Sequence, residues 1–269
     1  MNRFTYTRAY SVGHAVDCLQ KDDDARIVSG GMTLIPALKQ RVLSVSNLVD
    51  IDGLAELKGI RESDDSILIG GMTTHAEVAR SSLVRDRLPG LAELAASIGD
   101  AQVRNRGTIG GSVANNDPAA DYPAGLLGLA ATVVTDRREI AAADFFLGMF
   151  ETALEPAEIV TGVRFPRSAR CAYAKFRNPV SGYALVGVFV AEADGRISAG
   201  VTGAGASAFR CLPVEAELAK SFTAEAAERA EVKADGLLDD MHASAAFRAN
   251  LIRVMAGRAT AALSDRKAA

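Results

Sequence analysis

The chain has no tryptophan, and aromatic residues make up 6% of it. That argues against a surface on which bases stack. No run or stripe of Lys and Arg is visible, and the formal net charge is −3, so nucleic acid is not expected as a partner. The three cysteines, Cys18, Cys171 and Cys211, are scattered and never form a C-x-x-C pair. A disulfide framework, a zinc site and an iron–sulfur cluster on this chain are therefore not expected, and a reduced, cytoplasmic setting is. The three histidines, His14, His75 and His242, stand apart from one another and from paired carboxylates, so no metal site is expected. No nucleophile motif is present for Ser–His–Asp chemistry. No apolar run reaches membrane-spanning length, and the first seven residues lack the apolar stretch of a signal peptide. G-x-G-x-x-G after a strand and G-x-x-x-x-G-K-[ST] are both missing, which removes the Rossmann fingerprint and the Walker NTPases.

Apolar residues make up 49% of the 269 residues, enough for a large core or for several small domains. Two glycine pairs stand beside hydroxyl residues. The first is Val28-Ser29-Gly30-Gly31-Met32-Thr33. The second is Thr108-Ile109-Gly110-Gly111-Ser112, which runs on to Asn115-Asn116-Asp117-Pro118. A glycine turn lets successive backbone N–H groups point into one concavity, because no Cβ blocks the approach and positive φ is tolerated. Two such nests from distant parts of the chain are suited to an anionic bridge, which makes a dinucleotide the first ligand to consider. A third pair, Gly70-Gly71-Met72-Thr73, echoes the first and is read as coincidence or old duplication.

Along the chain, Ser11 caps a helix with apolar positions Val12, Ala15, Val16 and Leu19. Arg26 to Val28 and Asn47 to Ile51 read as strands on either side of a helix from Thr33 to Arg41. Ser66 to Ile69 is a further strand. Thr74 and Glu77 form a capping-box pair, and Leu91 to Ile98 reads as helix. Ala131 to Thr135 and Ile159 to Phe165 are strand candidates, with helix expected between Asp144 and Leu154. Tyr183 to Ala193 and Arg196 to Gly205 flank Asp194-Gly195, a two-residue hairpin signal. The last clear helix runs from Ser244 to Leu263. The pattern changes from α/β to antiparallel hairpin near Pro166 to Arg170.

Thr108 to Ser112, continuing through Asp117-Pro118-Ala119-Ala120-Asp121-Tyr122-Pro123-Ala124, resembles the signature of the FAD-binding (medium) subunits of molybdenum hydroxylases, the carbon monoxide dehydrogenase and xanthine dehydrogenase flavin-domain family. Ser29 to Pro36 resembles that family's first flavin loop, usually Ala-Gly-Gly-His/Gln-Ser, and departs from it at Ser29 and Met32. Gly71 to Glu77 and Ala243 to Arg248 are also similar. The resemblance spans nearly the whole chain.

What the resemblance implies is an α+β protein with a PCMH or vanillyl-alcohol-oxidase-type FAD-binding fold. Two α/β subdomains, residues 1–53 and 54–168, would clasp the dinucleotide. Residues 169–269 would form a three-stranded antiparallel sheet with helices. It implies non-covalent FAD, with backbone amides of Ser29, Gly30, Gly31, Met32 and Thr33 and of Thr108, Ile109, Gly110, Gly111 and Ser112 on its pyrophosphate. Asp121 would meet cofactor hydroxyls; read from the residues alone, it is a helix-start carboxylate. Ile98 and Ile159 would pack on the cofactor, where otherwise each reads as core. Lys175 would stand near the isoalloxazine and Tyr183 would shield one of its faces, where otherwise they read as a solvent-facing lysine and a core tyrosine of strands.

The function implied is electron transfer. Substrate would be oxidised at a molybdenum–pterin centre on a large subunit, and electrons would pass through [2Fe–2S] clusters on a small subunit to FAD here and on to an external acceptor. The assembly expected is a dimer of heterotrimers, a heterohexamer, with no catalytic residue on this chain. Two other readings remain open from the residues: a self-sufficient flavin oxidoreductase, which needs an added acid or base that the sequence does not offer, and a non-catalytic nucleotide-binding module.

Overall fold

The computed structural model describes residues 1–193 and 195–268. The first sheet is built from β1 (Thr5–Arg8), β2 (Arg26–Val28) and β3 (Asn47–Asp50), in the order β1-β3-β2 and parallel throughout. Parallel neighbours need crossovers, and α1 (Val12–Gln20) and α2 (Leu34–Lys39) supply them. Ser11 caps α1 by accepting the His14 N–H, as its position before the apolar stripe predicts.

The middle of the chain holds β4 (Ile60–Glu62), β5 (Ser66–Gly70), α3 (His75–Arg80), α4 (Ser82–Arg87), α5 (Pro89–Ser97), α6 (Ala101–Arg106), α7 (Ile109–Asn115) and α8 (Tyr122–Gly128). It continues with β6 (Thr132–Thr135), β7 (Glu139–Ala141), α9 (Ala142–Phe145), β8 (Phe146–Gly148), β9 (Glu151–Thr152) and β10 (Val160–Pro166). Five of these strands form a sheet in the order β4-β5-β10-β6-β7. The Thr74–Glu77 capping box starts α3 as expected, with both reciprocal hydrogen bonds made.

Of the helix expected between Asp144 and Leu154 only the end of α9 is formed, and it stops at Phe145. The chain turns back at Phe150, whose φ is +56°, and β8 pairs with β9 as a hairpin. Asn116 dictates this. Its side-chain amide donates to the carbonyls of Gly148 and Glu151 at 2.8 and 2.7 Å, and its main-chain carbonyl accepts the Phe150 N–H at 3.1 Å. These long-range partners outbid local helix propensity.

The remainder contains β11 (Arg170–Arg177), β12 (Ala184–Ala193), β13 (Arg196–Thr202) and β14 (Phe209–Arg210), followed by α10 (Leu212–Lys220), α11 (Ala224–Arg229) and α12 (Ala245–Ala268). The sheet is antiparallel, in chain order, and has four strands where three were expected. The added strand is a two-residue edge. Asp194 of the hairpin signal lies outside the described residues; β12 and β13 pair from Gly187↔Thr202 to Ala193↔Arg196. This sheet is buried on both faces. Phe189 and Ala191 of β12 enter the core shared with α5 and α8, while Val186, Val188 and Val190 enter the core under α10 to α12. Side chains alternate along a strand, so burial on both sides explains a β12 with almost no polar residue.

Candidate functional site

Between the first sheet and the middle region lies a cleft of about 950 Å³, at the upper end of the roughly 300–1,000 Å³ of ligand pockets. Both glycine pairs line it. They meet directly: Thr108 Oγ1 donates to Ser29 Oγ at 3.3 Å, and a Cβ on Gly30 would lie 2.0 Å from the Arg106 carbonyl oxygen. Only a residue without a side chain lets these two backbones touch.

The two segments differ in form. The first is a true turn, with Gly31 at φ +73°. Among the described residues, no acceptor serves the N–H groups of Gly30, Gly31, Met32 or Thr33, so four successive donors stand at the cleft. The second segment is not a turn. Gly110 and Gly111 occupy the first turn of α7, capped by the Thr108 hydroxyl, which accepts the Gly111 N–H at 3.1 Å. The Ile109 N–H donates to Thr73 O, Gly110 N–H to Gly71 O and Ser112 N–H to Thr108 O. Four of the five amides expected here are thus spent within the fold, because the Thr108 cap takes Gly111 and the carbonyls of Thr73 and Gly71 take Ile109 and Gly110, first-turn donors that have no partner inside their own helix. What this segment brings to the cleft is a surface free of side chains and the hydroxyls of Thr108 and Ser112.

Thirteen of the fifteen residues expected at the site line the cleft: Ser29, Gly30, Gly31, Met32, Thr33, Ile98, Thr108, Gly110, Gly111, Ser112, Asp121, Ile159 and Tyr183. Ile109 does not. Its side chain is fully buried among Val113, Tyr122 and their neighbours. Lys175 does not line the cleft either. It sits behind Asp121, which it pairs with at 2.9 Å, and it also donates to the Ser97 carbonyl at 3.1 Å. Asp121 does stand at the N-cap position that starts α8, but its carboxylate makes no cap hydrogen bond and is turned to Lys175 and Tyr173 instead. Burial pushes the Asp121 carboxyl up, while Lys175 and the Tyr173 phenol hold it down.

Gly71 and Met72, which form part of the cleft wall, were not among the site residues expected; their echo of the first glycine pair and the likeness of the stretch from Gly71 to Glu77 to the family were the available signals. Nor was His75, which is buried and lines the cleft. Burial, with Arg104 nearby, lowers its pKa to about 4, so it is neutral near pH 7. The other charged residues lining the cleft are Arg26 and four acids, Asp100, Asp117, Asp121 and Glu158. Arg26 is held by the carbonyls of Asp23 and Ala25 at 2.7 Å each. An anion in this cleft must therefore be gripped by main-chain N–H groups, and the carboxylates suit hydroxyl donors on the same ligand.

Residues 2–168 match the family described as the FAD binding domain in molybdopterin dehydrogenase. The chain belongs to this family. It is an FAD-binding oxidoreductase subunit of the molybdenum-hydroxylase type, an electron-transfer component. The alpha subunit of the 6-hydroxypseudooxynicotine dehydrogenase complex of Paenarthrobacter nicotinovorans is 36% identical over 276 residues, covering 96% of this chain and 93% of that one. The carbon monoxide dehydrogenase medium chain of Hydrogenophaga pseudoflava is 40% identical over 196 residues, covering 70% and 68%. The solved carbon monoxide dehydrogenase of that organism, in a form lacking the Mo-pyranopterin moiety of its cofactor, matches with a TM-score of 0.90 at 35% identity and 98% coverage of both chains. The mixed α/β fold is thus that of this medium-chain family. No helix among the described residues is long and apolar enough to cross a membrane.

Proposed function

We propose that the cleft holds FAD non-covalently and that the chain passes electrons from iron–sulfur clusters of a small partner subunit, through that FAD, to an external acceptor. Substrate oxidation belongs in this reading to a molybdenum–pterin centre on a large partner subunit. The observation that carries it is the row of unpartnered N–H groups at Gly30 to Thr33, set against the side-chain-free face of Gly110 and Gly111.

When bound, FAD supplies a redox centre able to exchange electrons singly or in pairs. The chain's own residues bind and orient it. The amides of the first loop meet the pyrophosphate, with the Thr33 and Ser112 hydroxyls as further donors, while the Thr108 proton stays directed at Ser29 Oγ. Asp121 accepts from ligand hydroxyls, Ile98 and Ile159 supply apolar wall, and Tyr183 covers a ring face at the mouth. Lys175 sets the local charge from behind Asp121. Tyr183 is about half exposed and sits on the short loop that closes when Asn178 N–H donates to Tyr183 O at 2.8 Å.

The finer architecture proposed is the vanillyl-alcohol-oxidase type, with residues 1–53 and 54–168 clasping the dinucleotide and residues 169–269 buttressing the second of them. The assembly proposed is a cytoplasmic dimer of heterotrimers. Purification of the native protein tests this. The expected result is FAD released by denaturation, together with molybdenum, iron and two other polypeptides. A colourless native protein, or an isolated yellow chain that oxidises substrate at full rate, overturns it.

A further inference from the structure

Tyr173 and Lys175 are two residues apart on β11 and so project from the same face of the sheet. Both reach the Asp121 carboxylate. Tyr173 Oη donates to Oδ1 at 2.5 Å, and Lys175 Nζ lies 2.9 Å from Oδ1 and 3.0 Å from Oδ2. The lysine and aspartate side chains are 3% and 5% exposed. The partner strand makes room for this arrangement. Gly187 lies opposite Lys175 in β12, and a Cβ there would sit 2.2 Å from Tyr173 Oη. Glycine weakens the interior of a strand and marks a close approach. Here the missing side chain is what admits the phenol.

An ionised carboxylate offers about four acceptor positions. Tyr173 and Lys175 occupy those on the sheet side. The rest of Asp121 faces the cleft, where it is a lining residue. We propose that Tyr173 is a positioning residue of the cofactor site, acting through Asp121 to keep an ionised acceptor aimed into the cleft for a ligand hydroxyl. This rests on the FAD reading above and adds a residue to it.

The electrostatics give the proposal a signature. Asp121 is faced by Tyr173, Lys175 and Arg177 of β11, by Tyr122 beside it, and by Tyr183, which Asp117 also influences. Burial raises the Asp121 carboxyl; Lys175, Tyr173 and Arg177 oppose that rise. Removing the phenol donor lets burial act with less opposition, so the carboxyl takes a proton closer to neutrality. A protonated Asp121 presents a donor where an acceptor is needed.

The test is FAD content per chain of the native complex after dialysis at about pH 8 and about pH 6. Wild type is expected to retain equal FAD at both. Tyr173→Phe is expected to lose about threefold or more on going to the lower pH. In an Asp121→Asn background, Tyr173→Phe should add no pH dependence. Gly187→Ala, which displaces the hydroxyl without altering Tyr173, should reproduce the Tyr173→Phe profile, and it decides the matter if the phenylalanine variant does not fold. A flat profile in both Tyr173→Phe and Gly187→Ala overturns the proposal. Equal loss at both pH values also overturns it, since that marks a ring that only fills space. Wild type without FAD at either pH would instead sink the function proposed above.

Discussion

The Thr108 hydroxyl donates to the Ser29 hydroxyl across 79 positions of sequence, at 3.3 Å, while accepting the Gly111 N–H that starts α7. One side chain thus caps a helix and ties the two glycine segments together. Thr108→Ala should cost about 1 kcal/mol from the cap alone, with a reduced FAD content. Thr108→Ser should restore both. Denaturant unfolding and flavin absorbance measure the two effects.

Gly30 and Gly13 offer a paired comparison. Alanine at Gly30 places its Cβ 2.0 Å from the Arg106 carbonyl oxygen, backbone that has no rotamer to yield. The seam is expected to open and FAD content to fall by an order of magnitude or more, on the scale of about 1.4 kcal/mol per tenfold. Gly13 lies within α1, where the nearest atom to a new Cβ is 3.9 Å away. Gly13→Ala should instead raise stability by about 0.5–1 kcal/mol and leave FAD content unchanged.

Glu158 lines the cleft with a fully buried side chain. Arg138 donates to it at 3.0 and 2.9 Å, the Thr135 hydroxyl at 2.8 Å and the Glu155 N–H at 2.7 Å. Arg138 above all holds its pKa down, at about 2 against an ordinary 4.5. A carboxylate depressed in the fold contributes stability above its unfolded value and loses it as pH falls through the folded one. This contribution is complete above about pH 4.5 and disappears on approach to about pH 2. Arg138→Ala should lower stability at neutral pH, since it strips the buried Glu158 carboxylate of its charged partner, and flatten the acid limb of the stability curve over that window. Thermal melts from pH 2 to pH 7 check the sign.

Asn116 is fully buried at φ +42° and holds the β8–β9 hairpin by two side-chain hydrogen bonds. Asn116→Ala removes both donors and places alanine in the left-handed region, for a loss of about 2–4 kcal/mol. Asn116→Gly keeps the backbone comfortable and should lose less. Hydrogen exchange at Phe150, whose N–H is bonded to Asn116 O, should quicken in both.

The strand–turn–helix pattern around Gly31, the Ser11 cap, the Thr74–Glu77 box and the β12–β13 pair were legible because each rests on neighbours in sequence. The glycine pairs were legible as a site, but the second was read as a turn. Its helix depends on Thr108 acting as a cap and on Thr73 and Gly71 accepting from Ile109 and Gly110, and a linear pattern does not display such contacts. The helix that stops at Phe145 has the same cause, since Asn116 acts on Gly148 and Glu151 from far away in the sequence. Tyr173 escaped notice because a strand tyrosine is ordinarily core; only the register that sets Gly187 beside it reveals its hydroxyl at work.

The abutment of Gly30 on the Arg106 carbonyl has a wider consequence. Where main chain rests on main chain, amino-acid replacement has little with which to adjust the gap. The middle of the cleft is accordingly fixed in shape, while its rim, at exposed Met32, Val180 and Tyr183, is open to change. Adaptation to a different electron acceptor would be written at that border, with the anchoring floor left as it is.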